Sequence, residues 1–120
     1  MAEKRILILE DEADIGNLFD LGLRAAGYTV DIATTIAEAH RRLDRLRYAL
    51  VIADIRLPDG NGVNLADRAA GLGAKTYILS GYLFQMPAGS ADRHELLMKP
   101  IRPRELLDAV QRAIGTAVAS

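Results

Sequence analysis

The sequence predicts an α/β fold in which a parallel sheet carries helices on both faces. Short apolar runs, typical of buried strands, alternate along the chain with longer stretches whose apolar residues recur at helical spacing. The central run, residues 49–53, is small or apolar throughout and ends at Asp54. A turn rich in Pro, Gly and Asn follows at 58–62, as expected where a buried strand reaches the edge of its sheet.

Five strands and four clear helices follow in order along the chain. Gly27 suits the left-handed position just after a helix. Thr35 and Glu38 match a capping box, and Pro103 suits the first turn of a helix. The predicted strands are residues 4–9, 28–32, 49–54, 75–79 and 95–98, and the predicted helices are residues 14–26, 35–46, 62–71 and 102–117.

Residues 82–93 occupy the place of a further helix in this alternation, but their sequence is irregular. The segment contains Pro87 and Gly89. In a helix interior Pro costs about 3 kcal/mol, and Gly costs about 1 kcal/mol relative to Ala. We therefore expect a shortened or broken fourth helix, or a loop.

The composition indicates one globular domain covering residues 1–120, with 50% hydrophobic and 26% charged residues. The formal net charge is −1 and no run of Lys and Arg resembles a nucleic-acid-binding arm, so no direct nucleic-acid partner is expected. The sequence has no cysteine, no signal-like N-terminus and no apolar run as long as a membrane span. A cytoplasmic protein without membrane insertion is the expectation.

Polar residues stand where the predicted strands end. If the strands are parallel, these residues meet at one edge of the sheet, where such sheets bind their ligands. They are Glu10, Asp11, Asp54, Ser80 and Lys99. Three carboxylates brought together repel one another and raise one another's pKa values unless a cation intervenes. Mg²⁺ is the natural cation, since it prefers oxygen ligands and commonly uses one or two carboxylates together with a phosphate.

An ionised Asp54 beside Mg²⁺ can attack phosphorus and form an aspartyl phosphate. Lys99 would place a positive charge on the phosphoryl oxygens, and the Ser80 hydroxyl would donate a hydrogen bond. Each residue also has a structural interpretation. Asp54 and Ser80 could serve turns, the pair Glu10 and Asp11 could complement a helix dipole, and Lys99 could be a surface lysine.

The set as a whole resembles the receiver domain of two-component response regulators, and the resemblance covers nearly the whole chain. The acidic pair corresponds to Glu10 and Asp11, and the phosphoacceptor to Asp54. The hydroxyl residue corresponds to Ser80, and the Lys-Pro pair to residues 99–100.

The resemblance implies a flavodoxin-like sheet with strand order 2-1-3-4-5 and a cis peptide bond before Pro100. It implies Mg²⁺ bound beside the acidic pair by Asp11, Asp54 and the backbone carbonyl of Arg56. It also implies a histidine kinase or histidine phosphotransfer protein as donor and a downstream protein as target. Such a domain catalyses phosphoryl transfer to its own Asp and is not a turnover enzyme.

Three positions depart from the family pattern. Leu96 stands where receivers usually carry the Phe or Tyr that changes rotamer on activation, Ile101 follows Lys-Pro in place of Phe, and Glu10 replaces the commoner Asp. The alternative function is a degenerate receiver that is never phosphorylated and only docks, and the complete set of acids, hydroxyl and lysine argues against it.

Two enzyme classes fit less well. A phosphatase of the aspartyl-nucleophile type needs a second Asp where Arg56 stands. A dinucleotide-binding enzyme needs a glycine fingerprint that residues 9–11 lack. His40 and His94 are scattered in the sequence and are interpreted as structural.

Overall fold

The computed structural model describes residues 4–81 and 94–117. The strands are β1 (Arg5–Leu9), β2 (Thr29–Ala33), β3 (Leu50–Asp54), β4 (Arg56–Leu57), β5 (Gly60–Asn61), β6 (Lys75–Ser80) and β7 (Glu95–Met98). The helices of the described residues are α1 (Ala13–Ala25), α2 (Ile36–Arg45), α3 (Val63–Gly71) and α4 (Pro103–Ile114). The prediction of an irregular fourth helix falls within 82–93 and lies outside the described residues.

Five strands form one parallel sheet in the order β2-β1-β3-β6-β7. This order confirms the prediction of a flavodoxin-like sheet with strand order 2-1-3-4-5. The register aligns the strand ends, because Leu9 lies opposite Ala53 and Ser80 lies opposite Met98. The residues that follow β1 and β7 therefore emerge at the same edge as Asp54.

Both faces of the sheet are covered, and the side chains of each strand divide between two cores. Leu7 and Val51 face one core, which α2 and α3 cover with residues such as Leu43 and Leu65. Neighbouring Ile6 and Ile52 face the other core, which α1 and α4 cover with residues such as Phe19, Leu23, Leu106 and Val110. All five residues of β3 are buried, which explains why the sequence of this strand shows no alternation.

A short antiparallel ribbon follows Asp54 and was not predicted. It pairs Arg56 with Asn61 and Leu57 with Gly60. The ribbon returns the chain so closely that a Cβ on Gly62 would lie 2.1 Å from the carbonyl oxygen of Asp54. Glycine at position 62 is therefore what lets the chain turn back against the end of β3.

The tip of this ribbon holds the start of α2. The Asp59 carboxylate accepts hydrogen bonds from the backbone N–H groups of Ile36 at 2.9 Å and Ala37 at 3.1 Å. Thr35 caps the next N–H, since its hydroxyl accepts from Glu38 at 3.1 Å. The Glu38 carboxylate accepts from the Thr34 N–H and not from that of Thr35, so only half of the predicted capping box forms. Three N–H groups of the first turn thus have side-chain acceptors, two of them supplied from outside the helix.

We predict that Asp59→Asn destabilises the protein at neutral pH and that the loss shrinks in acid. The hydrogen bond from Ile36, assisted by that from Ala37, lowers the pKa of Asp59 below its ordinary value of 3.8. A lowered pKa contributes stability that is present above 3.8 and is lost as the pH falls through the folded-state pKa. Urea unfolding at neutral and acidic pH measures this difference. Asp108→Asn, at an exposed position on α4, is the control and should change little.

We predict that Gly62→Ala destabilises the protein by about 1–3 kcal/mol, because the added methyl group overlaps the Asp54 carbonyl oxygen. Gly71→Ala is the matched control. Nothing lies within 4 Å of a Cβ at that position and its backbone φ is not positive, so the substitution should be neutral or stabilising by about 0.4–1 kcal/mol. Equal denaturation midpoints for the two variants would contradict the close approach at Gly62.

Candidate functional site

The carboxyl edge of the sheet brings together the polar residues that were predicted from the strand ends. Glu10 and Ser80 are fully buried, and Asp54 is 5% exposed. Asp11 is exposed at the start of the loop that leads to α1. Lys99 reaches this edge because its backbone N–H donates to the Ser80 carbonyl oxygen at 2.9 Å. The Lys99–Pro100 peptide bond is cis, as the resemblance implied.

The Lys99 ammonium bridges two buried carboxylates. Its Nζ donates a hydrogen bond to Asp54 Oδ2 at 2.7 Å and lies 3.1 Å from Glu10 Oε2. The contact with Glu10 is an ion pair whose angles do not make a hydrogen bond, so Glu10 Oε2 is buried without a donor. The other oxygen of Glu10 accepts from the Glu12 N–H at 3.2 Å.

Burial and charge set the ionisation of this cluster. Burial, followed by the negative charge of Asp54, raises the pKa of Glu10, and Lys99 offsets only part of the rise. For Lys99, burial lowers the pKa, but the hydrogen bond and charge of Asp54 together with Glu10 outweigh it, so the net pKa is raised. Lys99 therefore remains an ammonium at neutral pH and can pair with an anion at the site.

The carboxylates suit a hard divalent cation. Glu10, Asp11 and Asp54 can each offer one oxygen, and these oxygens lie within 4.8 Å of one another. Glu10 Oε2 is a buried oxygen without a hydrogen-bond donor that lies 3.1 Å from the Lys99 ammonium, so a cation could also take it as a ligand. An all-oxygen set of this kind matches the ligand preference of Mg²⁺.

Arg56 lies where the resemblance places a backbone ligand. It begins β4, its side chain is exposed, and its N–H makes a long contact of 3.4 Å with Asp54 Oδ1. Asp54 is therefore held firmly through Oδ2 by Lys99 and only loosely through Oδ1.

The two histidines take part in structural contacts. His94 is buried and lies between the Thr76 hydroxyl on Nδ1 and the Asp67 carboxylate on Nε2. Nδ1 of His40 faces the Arg68 guanidinium at 2.9 Å. Among the described residues, the candidate metal cluster contains no histidine. Both contacts agree with the structural interpretation of the histidines.

Sequence reasoning did not foresee that Lys99 pairs with Glu10 as well as Asp54. The two residues are 89 positions apart in the chain, and no local pattern links them. Only the order of the strands puts β7 within reach of the end of β1, and only a long flexible side chain can cross that distance.

Sequence comparison relates the chain to a known family. The profile of the response regulator receiver domain matches residues 6–111. The chain belongs to this family. Response regulator receiver protein CpdR of Brucella abortus (strain 2308) is 30% identical to it over 119 residues, which cover 95% of the chain and 99% of CpdR. The probable transcriptional regulatory protein SilR of Salmonella typhimurium is 34% identical over 112 residues, which cover 89% of the chain and 49% of SilR.

Solved structures support the same conclusion. The CheY-like response regulator receiver domain protein from Methanospirillum hungatei JF-1 has a TM-score of 0.82 at 30% identity, covering 94% of each chain. Chemotaxis response regulator CheY4 of Vibrio cholerae, at 24% identity and a TM-score of 0.82, shares the fold. The chain thus spans nearly all of CpdR but about half of transcriptional regulators such as SilR.

Membership in the family confirms the assignment to two-component signal transduction. Receiver domains are signalling domains that interact with histidine kinases and downstream effectors, and the family binds Mg²⁺ at an acidic pocket. Within residues 4–81 and 94–117, none of the helices has the length and apolar character needed to cross a membrane.

We predict that Glu10→Gln stabilises the metal-free receiver domain at neutral pH, because the ionised carboxylate is buried beside Asp54. Because folding raises the pKa of Glu10, the carboxyl contributes its full stability below its ordinary pKa of 4.5, where it is protonated in both states. That contribution to the free energy of unfolding is lost as the pH rises through the folded-state pKa. The difference in stability between Glu10→Gln and the parent should therefore vanish below pH 4.5. Urea unfolding with a chelator present, at several pH values, measures it.

The matched control is Glu12→Gln, which removes the same charge at an exposed position two residues away. It should change stability little at any pH. A Glu10→Gln protein that is less stable than the parent at neutral pH would mean that the attraction of Lys99 exceeds the penalty of burial.

Proposed function

We propose that this receiver domain accepts a phosphoryl group on Asp54 from a phosphohistidine donor, with Mg²⁺, and signals through altered protein contacts. The donor would be a histidine kinase or a histidine phosphotransfer protein, and the readout a downstream protein target. The observation that carries the proposal is the bridge from Lys99 to the carboxylates of Asp54 and Glu10 at the sheet edge.

In the proposed reaction, a carboxylate oxygen of Asp54 attacks phosphorus as the bond from phosphorus to the donor imidazole nitrogen breaks. The electron pair of that bond returns to the imidazole, and an aspartyl phosphate forms. Lys99, already an ammonium, pairs with the phosphoryl oxygens, and the Ser80 hydroxyl donates to one of them. Mg²⁺ held by Glu10, Asp11, Asp54 and the Arg56 carbonyl would supply further positive charge against the same oxygens.

A groove beside the site supports a protein donor. Its volume is about 650 Å³, and it separates the start of α1 from the start of α4. Ile15, Ile101 and Pro103 line it, and Lys99 lies at its edge. Leu18, on the same side, is 55% exposed. An apolar groove of this kind suits an amphipathic helix of a partner.

One observation favours the alternative, a docking module that works without phosphorylation. Leu96 is partly buried against the core under α2 and α3, where most receivers carry an aromatic switch. A leucine cannot make the ring movement that usually accompanies phosphorylation. The complete set of acid, hydroxyl and lysine at the sheet edge weighs against this alternative.

Intact-mass spectrometry after incubation with Mg²⁺ and a small phosphodonor tests the proposal. We expect one phosphoryl adduct on the parent and none on Asp54→Asn, which keeps the shape of the side chain but loses the nucleophile. Asp11→Asn should slow adduct formation and weaken Mg²⁺ binding together, because it removes one carboxylate from the cluster.

Asp14→Asn, exposed on α1 outside the cluster, is the control for charge removal and should react like the parent. A parent that takes no phosphoryl from the small donor or from a phosphorylated histidine protein would favour the docking module.

A further inference from the structure

Three arginines lie together on one side of α2. Arg41, Arg42 and Arg45 occupy positions i, i+1 and i+4 of the helix, and we call this set the arginine face. They surround a hollow of about 460 Å³ whose remaining walls are Glu38 and the half-buried Leu46. Another side of α2, at His40, contacts Arg68 of α3.

The arginine face has no acidic partner within residues 4–81 and 94–117. Other arginines of the described residues do have an acidic partner. Arg5 pairs with Asp31 at 3.3 Å, and Arg24 pairs with Asp20 at 2.6 Å. Arg41, Arg42 and Arg45 thus differ from Arg5 and Arg24 in having no acidic partner in the described part of the chain.

Two acids on α2 could pair with these arginines, and neither does so in the described part of the chain. Glu38 is four residues before Arg42, the spacing that favours a helical ion pair, yet its Oε1 accepts the Thr34 N–H at 2.8 Å. Asp44 pairs with Arg68 of α3. Like charges at this spacing repel by a few tenths of a kcal/mol, which opposes collecting them on one face.

The end of the helix accounts for only part of this pattern. Arg42 and Arg45 lie in the last turn of α2, where a cation interacts favourably with the helix dipole. That interaction does not explain Arg41, nor the hollow with an apolar wall at Leu46. A partner that brings carboxylates to the guanidinium groups and an apolar side chain to Leu46 would satisfy both features.

We propose that the arginine face is a docking surface for an acidic segment of a partner protein, with carboxylates spaced to reach Arg41 and Arg45. The site goes beyond the proposed function, since it lies on α2 and uses none of the residues at the sheet edge. A nucleic acid fits less well. The basic area is confined to one helix, Glu38 and Asp44 interrupt it, and the chain carries a net charge of −1.

The test is binding of a fluorescently labelled poly-L-glutamate peptide to the full chain, followed by anisotropy and by backbone chemical shifts. The double variant Arg41→Gln with Arg45→Gln should lose about fivefold in affinity, the effect expected from two exposed ion pairs of ordinary strength. Arg41→Glu with Arg45→Glu should abolish binding. Affinity of the parent should fall as salt is added, because exposed charges are screened.

The matched control is Arg104→Gln with Arg112→Gln, which removes the same charge from exposed positions of α4 on the opposite face of the sheet. It should bind like the parent. Asp54→Asn should also bind like the parent, so a failure of phosphorylation leaves this test intact. No peptide binding, or equal losses in the two arginine double variants, would overturn the proposal. So would tighter binding of a single-stranded oligonucleotide through the same residues.

Discussion

The arrangement at the sheet edge depends on the Lys99 ammonium. Two unit charges of the same sign 4 Å apart repel by about 4 kcal/mol at the effective dielectric near a protein surface. Glu10 and Asp54 are both buried at adjacent strand ends, and without Lys99 their repulsion would have to be relieved by proton uptake or by a bound cation. Lys99, directly after β7, forms ion pairs with Glu10 at the end of β1 and with Asp54 at the end of β3.

The hydrogen bond from Lys99 to Asp54 also limits what the site can do chemically. While Lys99 holds Asp54 Oδ2, the carboxylate is fixed in place and only Oδ1 is loosely held. Under the proposed function, an incoming phosphoryl group would draw the ammonium from the carboxylate to its own oxygens, and one cation would serve the site before and after transfer. Burial raises the pKa of Glu10, which is consistent with a residue kept for its charge and not for stability.

The sequence predicted those parts of the fold that local patterns encode. Apolar runs ending in acids identified β1 and β3, helical spacing identified α1, and a capping-box pattern identified α2. The strand order came from the resemblance, because periodicity says nothing about neighbours in a sheet. Boundaries differed slightly: α4 was predicted to reach residue 117 but ends at Ile114, since Gly115 has a φ of 76°. The ribbon β4–β5 has two residues in each strand, too few for any period to be recognised.

The ribbon β4–β5, which the sequence did not predict, joins the site to α2. At the start of the ribbon, Asp54 Oδ1 faces the N–H of Arg56. Just after its end, Gly62 passes close to the Asp54 carbonyl oxygen. At its tip, Asp59 caps α2. The short ribbon therefore joins Arg56, beside the site, to the cap of α2. Because this connection does not use Leu96, the contacts that join the site to α2 do not depend on the missing aromatic residue.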